Sequence, residues 1–271
     1  MILVVADLHL DAWMRDGRDP LASIAPVLSH LDALIVAGDL SNNPRYQWPR
    51  CLARIGQLID PGRVWIVPGN HDYWNMHLHG GDDRLTEIAE AAGAHLAQKR
   101  VIDIGAVRLL CATLWTDFQL SDDTHEAMRR ARMVMPDYIR IRESVDLAQG
   151  PIHPEDTLAV HQDHLDWLTQ AMAEPWGGQR IIVTHHAPSP AVAGQINGLS
   201  PAFASDLDDW IEQHRPDGWL FGHTHRLLDA TVHGVPVINA SLGYPDDVEP
   251  DQEAERLLRG LIDDRGIRTG S

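Results

Sequence analysis

Short runs of apolar, largely β-branched residues punctuate the sequence at 2–6, 33–37, 63–67, 107–112, 180–184 and 218–221. Each has the length of a strand, and most lack the polar alternation of a strand with one wet face. Such runs need burial on both sides. Between them lie stretches of helical periodicity, at about 20–30, 45–60, 82–92, 157–173 and 205–214. Doubly buried strands alternating with helices predict an α/β fold with mainly parallel central strands. Further on, 227–232 and 235–239 flank His233-Gly234 and predict a hairpin.

In open α/β sheets, ligands gather beyond the carboxyl ends of the strands. The residues at those ends are therefore the informative ones. After the first run come Asp7 and His9; after the second, Gly38 and Asp39. The third is followed by P-G-N-H-D, which supplies Asn70, His71 and Asp72. The fifth is followed by His185 and His186, and the sixth by G-H-T-H, with His223 and His225. If the backbone stays extended there, residues at i and i+2 project to the same side. Gly38, Gly69 and Gly222 each precede a polar residue where the chain must turn sharply.

Carboxylate, imidazole and amide without thiolate form a donor set for Mn, Fe, Co or Zn. There are too many donors for one tetrahedral ion. Two ions sharing a carboxylate, roughly 3.5–4 Å apart, would use them all.

The motifs D-x-H (7–9), G-D (38–39), G-N-H-D (69–72), a later strand-end histidine and G-H-x-H (222–225) resemble, in this order, the calcineurin-like metallophosphoesterases. The resemblance implies a four-layer α/β/β/α sandwich, with two mixed β-sheets flanked by helices. It also implies two divalent metal ions, with Mn, Fe or Zn the expected identities. Asp7, His9, Asp39 and His225 would hold one ion. Asp39, Asn70, His185 and His223 would hold the other, with Asp39 bridging. That family's strand-end ligand has a proline two or three residues on, which selects His185 over His186. His71 resembles the family's histidine that contacts the phosphoryl group or protonates the leaving oxygen, and Asp72 is expected to orient its imidazole. The implied activity is hydrolysis of a phosphomono- or phosphodiester by a metal-bridging hydroxide. His186, Arg129 and Arg132 are candidate substrate contacts.

A formal charge of −17 repels nucleic acid at long range, so a small phosphorylated substrate is favoured over a polynucleotide. A nuclease of the same family and a non-catalytic scaffold retaining the fold are the alternatives. The scaffold should have lost ligands, and here none is missing. No run approaches the length of a membrane span and no signal segment opens the chain, so a cytoplasmic protein is expected. Residues 1–271 read as a single domain, with an irregular insertion at about 113–154 and a peripheral tail at about 246–271. His161 and His164, beside acidic neighbours, read as a solvated helix face. Oligomeric state has no signature in the sequence.

Overall fold

A computed structural model describes residues 1–145, 150–263 and 266–268; parts of the 113–154 insertion and of the tail lie outside them. The strands assemble into two six-stranded sheets among these residues. The first follows the order β12 (Gly266–Ile267), β11 (Leu261–Asp263), β1 (Ile2–Val5), β2 (Ala33–Ala37), β3 (Val64–Val67), β4 (His95–Leu96). The second runs β5 (Arg100–Ile104), β6 (Val107–Ala112), β7 (Gln179–Thr184), β8 (Gly218–Phe221), β10 (Val235–Asn239), β9 (Ala230–Val232). Within each, the central strands are parallel: β1 to β4 in the first, and β6, β7, β8 and β10 in the second. The hairpin expected around His233 is the antiparallel pair β9–β10.

Alternation along each buried strand sorts its side chains into layers. Ile2, Val4, Ile35 and Ala37 pack inward against Leu109, Cys111, Ile181 and Val183, making an apolar layer between the sheets. Their neighbours Leu3, Val5, Leu34 and Val36 face the other way, towards Trp13, Trp48, Leu52 and Leu85 of the helices Leu10–Asp16, Pro44–Ile55 and Gly81–Ala91. On the far side, Leu110, Ile182, Trp219 and Phe221 pack on Leu168 and Ile211 of the helices Pro154–Ala173 and Asp208–His214. The architecture is helix, sheet, sheet, helix, as the resemblance implied. Among the described residues no helix is long and apolar enough to cross a membrane.

Two expectations change. The tail is not peripheral: β11 pairs antiparallel with β1, and Leu257, Leu261 and Ile262 are buried. A three-residue strand is too short to carry a period, so only its pairing partner reveals it. His161 and His164 are not solvated either. His164 Nδ1 accepts the Leu114 N–H at 3.1 Å, and His161 Nδ1 lies 3.1 Å from the Leu114 carbonyl oxygen, both inside the protein. They clamp a loop in which Leu114, Trp115 and Phe118 take left-handed backbone angles (φ 74°, 55° and 57°).

Candidate metal centre

Because the central strands are parallel, their carboxyl ends share one rim, and the two sheets join there. Ala6 bridges to Ser241, and its N–H bonds the Ala240 carbonyl at 2.9 Å, tying β1 to the strand end of β10. Residues following β1, β2 and β3 thus meet residues following β7 and β8. The turns are made largely by the polar residues themselves. Asp7, His9, Asp39, His223 and His225 have φ of 51°, 39°, 56°, 67° and 51°. Such backbones cost about 1–3 kcal/mol each for non-glycine residues and concentrate at functional sites.

The glycines act differently from expectation. Gly38 does adopt a positive φ, 91°, but Gly69 is extended and Gly222 has no positive φ. What the latter two provide is clearance. A Cβ at Gly69 would fall 2.2 Å from Asp39 Oδ1, and one at Gly222 would fall 2.5 Å from Asp7 Oδ2.

Two groups of donors form around one carboxylate. On one side, His225 Nε2 lies 3.2 Å from Asp7 Oδ1 and 3.2 Å from His9 Nε2. Two nitrogens bound to one ion at about 2.0–2.1 Å would stand at this separation with an angle of roughly 100° between them. On the other side, Asp39, His185 and His223 converge, and Asn70 Oδ1 sits 3.0 Å from His185 Nε2. Asp39 faces both groups: Oδ2 is 3.7 Å from His9 Nε2, and Oδ1 is 3.6 Å from His185 Nε2. The structure therefore brings all seven expected ligands together and sorts His223 and His225 into different groups.

Each donor is held from behind. Asp7 Oδ2 accepts the His223 N–H at 2.8 Å and the Ser241 hydroxyl at 2.6 Å, leaving Oδ1 for the site. His185 Nδ1 faces the Ala37 carbonyl at 3.0 Å, which directs Nε2 inward. Asn70 donates its amide to Asp137 Oδ1 at 2.9 Å, so its own oxygen points to His185. Asp137 also accepts the Trp74 indole N–H at 2.7 Å. The irregular insertion thus supplies a residue that sets Asn70, for which the sequence offers no signal. Asp247, from the tail, lies 3.3 Å from His225 Nδ1.

The role expected of Asp72 does not match its contacts. Its carboxylate accepts from the backbone N–H groups of Asp39 (2.8 Å), Gly69 (2.9 Å) and Ser41 (3.4 Å) and from the Trp48 indole (2.9 Å). It pins the loops that carry Asp39 and Asn70, and does not touch the His71 imidazole. His71 Nδ1 is 2.7 Å from Asn42 Oδ1, and the Asn42 amide donates to Asp11 Oδ2 at 3.1 Å. That chain fixes the tautomer: with the amide nitrogen on Asp11, the Asn42 oxygen accepts a proton from Nδ1. His71 Nε2 is left facing Asp39 Oδ2 at 3.9 Å. The imidazole also stacks on Trp74 at 3.6 Å, with the Arg140 guanidinium 4.3 Å over that indole.

Burial sets the protonation states. It holds His9 and His223 well below the ordinary imidazole range and lowers His185, so all three are neutral and offer lone pairs. Burial and then the carboxylates of Asp7 and Asp72 push Asp39 well above the usual carboxylate range. Burial raises Asp72 to about 6 against the four bonds it accepts. Asp7 feels the same burial, but His225 beside it brings it below the ordinary value. Burial, then the neighbouring His185, lowers His71 to about 3.

Of the candidate substrate contacts, none lies among these donors. His186 is buried between Trp115 (5.0 Å) and His223 (4.2 Å), with Nδ1 3.2 Å from the Thr113 carbonyl, and backs His223. Arg129 is engaged by Glu126 on the exposed face of the helix Thr124–Val134, and Arg132 is exposed on the same helix. Tyr244, which the sequence reading missed, stacks on His9 at 4.1 Å.

The donors fit divalent ions. His223 Nε2 is buried with no hydrogen-bond partner among the described residues, and a buried orphan of this kind costs about 1–3 kcal/mol unless something fills the position. A carboxylate such as Asp39, surrounded by other acids and neutral imidazoles, calls for a cation.

Comparisons place this geometry among known proteins. The uncharacterized protein L509 of Acanthamoeba polyphaga mimivirus is 25% identical over 262 residues, covering 89% of this chain and 90% of that protein. A cAMP/cGMP dual specificity phosphodiesterase of Mycobacterium tuberculosis is 24% identical over 251 residues, 89% of this chain and 66% of its own length. The crystal structure of phosphopantetheinyl hydrolase from Mycobacterium tuberculosis shares the fold, with a TM-score of 0.64 at 17% identity, covering 91% of this chain and 90% of that one. The family model for calcineurin-like phosphoesterases matches residues 1–227, a span that holds every strand-end donor from Asp7 to His225, and the chain belongs to that family.

Proposed function

We propose that the protein is a metal-dependent phosphoric ester hydrolase acting on a small phosphomono- or phosphodiester. Asp7, His9, Asp39 and His225 would hold one divalent ion, and Asp39, Asn70, His185 and His223 the other. The carrying observation is Asp39, whose two oxygens face the buried, neutral imidazoles of His9 and His185, one in each group of donors. Mn, Fe and Zn suit the oxygen and nitrogen donors. Bound divalent ions supply the positive charge a phosphoryl group needs and lower the pKa of water from about 16 towards 7.

The chain's own residues do the rest. Asp72 holds the two loops in register, and Asp137 keeps the Asn70 oxygen turned inward. Asn42 fixes the His71 ring so that Nε2 is available to a phosphoryl or leaving oxygen. An anionic phosphoryl group beside Nε2 favours the imidazolium, which can then give a proton to the departing oxygen. Proton transfer of this kind is worth about a hundred- to ten-thousand-fold. A relative named for cyclic-nucleotide hydrolysis makes a diester the first substrate to test.

The test is hydrolysis of bis(4-nitrophenyl) phosphate and 4-nitrophenyl phosphate by the purified protein with added Mn²⁺, Fe²⁺ or Zn²⁺, alongside metal analysis. Turnover that needs metal and falls in His71→Ala is expected. Absence of turnover under every metal would overturn the proposal in favour of a non-catalytic scaffold.

A further inference from the structure

Beside the metal centre lies a pocket of about 190 Å³ that the phosphoryl chemistry leaves unused. Pockets for whole small ligands run to about 300–1,000 Å³, whereas a dry cavity of about 150 Å³ suffices for one benzene ring. The space is that of a single ring. Its apolar lining comes from Ala193, Leu199 and Phe203, and its polar lining includes Asn197, Thr224 and Arg226.

One contact and one chain position tie it to the site. Phe203 stacks on the His223 imidazole at 4.8 Å with an interplanar angle of 27°, and Thr224 lies between His223 and His225 in the chain. A group entering the pocket therefore rests within one side chain of a candidate ligand. The cation is notable in a chain of charge −17. Arg226 is exposed and, among the described residues, gives one hydrogen bond, to the Ala193 carbonyl at 3.3 Å. A guanidinium carries five N–H donors, so it retains capacity for an acceptor on a ligand.

We propose that this pocket receives the ester group that stays on phosphorus and selects there for a planar ring bearing an acceptor oxygen or a negative charge. Phe203 supplies the stacking face and Arg226 the bond to the acceptor. The proposal rests on the phosphoesterase reading for where the phosphoryl group sits.

The test compares bis(4-nitrophenyl) phosphate with methyl 4-nitrophenyl phosphate, in which a methyl group replaces the second ring. The full chain with Mn²⁺ is used as wild type, Arg226→Ala and Phe203→Leu. The wild type should show a lower KM for the two-ring ester. In both variants that preference should shrink by at least about tenfold, the scale of one lost apolar or polar contact in a specificity pocket. Saturation-transfer NMR on the two-ring ester is run in parallel without metal. Ring protons should receive strong saturation from the wild type and weak saturation from Arg226→Ala. Equal saturation and an unchanged KM ratio in both variants would overturn the pocket. Ring saturation that is lost in the variants, with no turnover in any of them, would support the pocket while sinking the phosphoesterase reading.

Discussion

Removing the amide that holds His71 is the sharpest test of how the centre is organised. In Asn42→Ala the 2.7 Å contact to His71 Nδ1 disappears, and Asp11 Oδ2 loses the amide donor at 3.1 Å. A net hydrogen bond is worth about 0.5–1.5 kcal/mol in stability, so the fold should survive. Removing the partner that orients a functional imidazole typically costs about 10–100-fold, or roughly 1.4–2.7 kcal/mol of barrier. That loss should appear in kcat with bis(4-nitrophenyl) phosphate and Mn²⁺. Metal content should not change, because Asn42 is bonded to Asp11 and His71 and to none of the seven donors. The double variant decides the mechanism. If Asn42 works through His71, adding Asn42→Ala to His71→Ala costs nothing further, a coupling as large as the single effect. Additive losses, or full kcat in Asn42→Ala, would refute the chain from Asp11 through Asn42 to His71.

Other perturbations separate ligand, acid and scaffold. Asp39→Asn should abolish most turnover and reduce bound metal at both positions, and an inactive variant with two full equivalents by elemental analysis would contradict the bridging role. His71→Ala should slow kcat by about 10²–10⁴-fold with metal retained; loss of metal would make His71 a ligand. Gly69→Ala drives a Cβ to 2.2 Å from Asp39 Oδ1 and 2.8 Å from His185 Cε1. Overpacking of this kind costs about 1–3 kcal/mol, so calorimetry should show a lower Tm as well as weakened metal binding. His164 supplies a pH test remote from the donors. Burial lowers it from 6.5 to about 3, so the unfolded chain takes up its proton first. The stability it contributes is full above about 6.5 and is lost as pH falls towards 3, by about 1.4 kcal/mol per unit. Urea midpoints of wild type and His164→Gln should therefore differ by a constant maximum above pH 6.5 and approach each other as pH falls towards 3; a difference that stays constant through this range would show that His164 is not held neutral.

What the sequence made legible was whatever is local to a strand. A doubly buried run and the polar residue at its end lie within a few positions of each other, so Asp7, Asp39, Asn70 and His185 could be read by following each run to its stop. The residues that orient them could not. Asn42, Asp137, Ser241 and Asp247 act through contacts made only after the sheets join, and Asp137 is separated from Asn70 by 67 positions. Adjacency misled in one place: Asp72 follows His71, but the turn Asn70–Tyr73 carries its carboxylate beneath the loop to Trp48.

The pair His223 and His225 shows the limit most clearly. An extended backbone would set both imidazoles on one side, yet φ values of 67° and 51° take the chain out of the strand at both residues. The alternation rule therefore does not apply to them. Their placement follows from what lies on either flank. His223 is backed by His186 and Phe203 and turned towards His185 and Asp39, whereas His225 is drawn by Asp7 and Asp247 to His9. Two histidines one residue apart can serve two groups because the strand has already ended, and the left-handed turns that end it are the local cost of separating them.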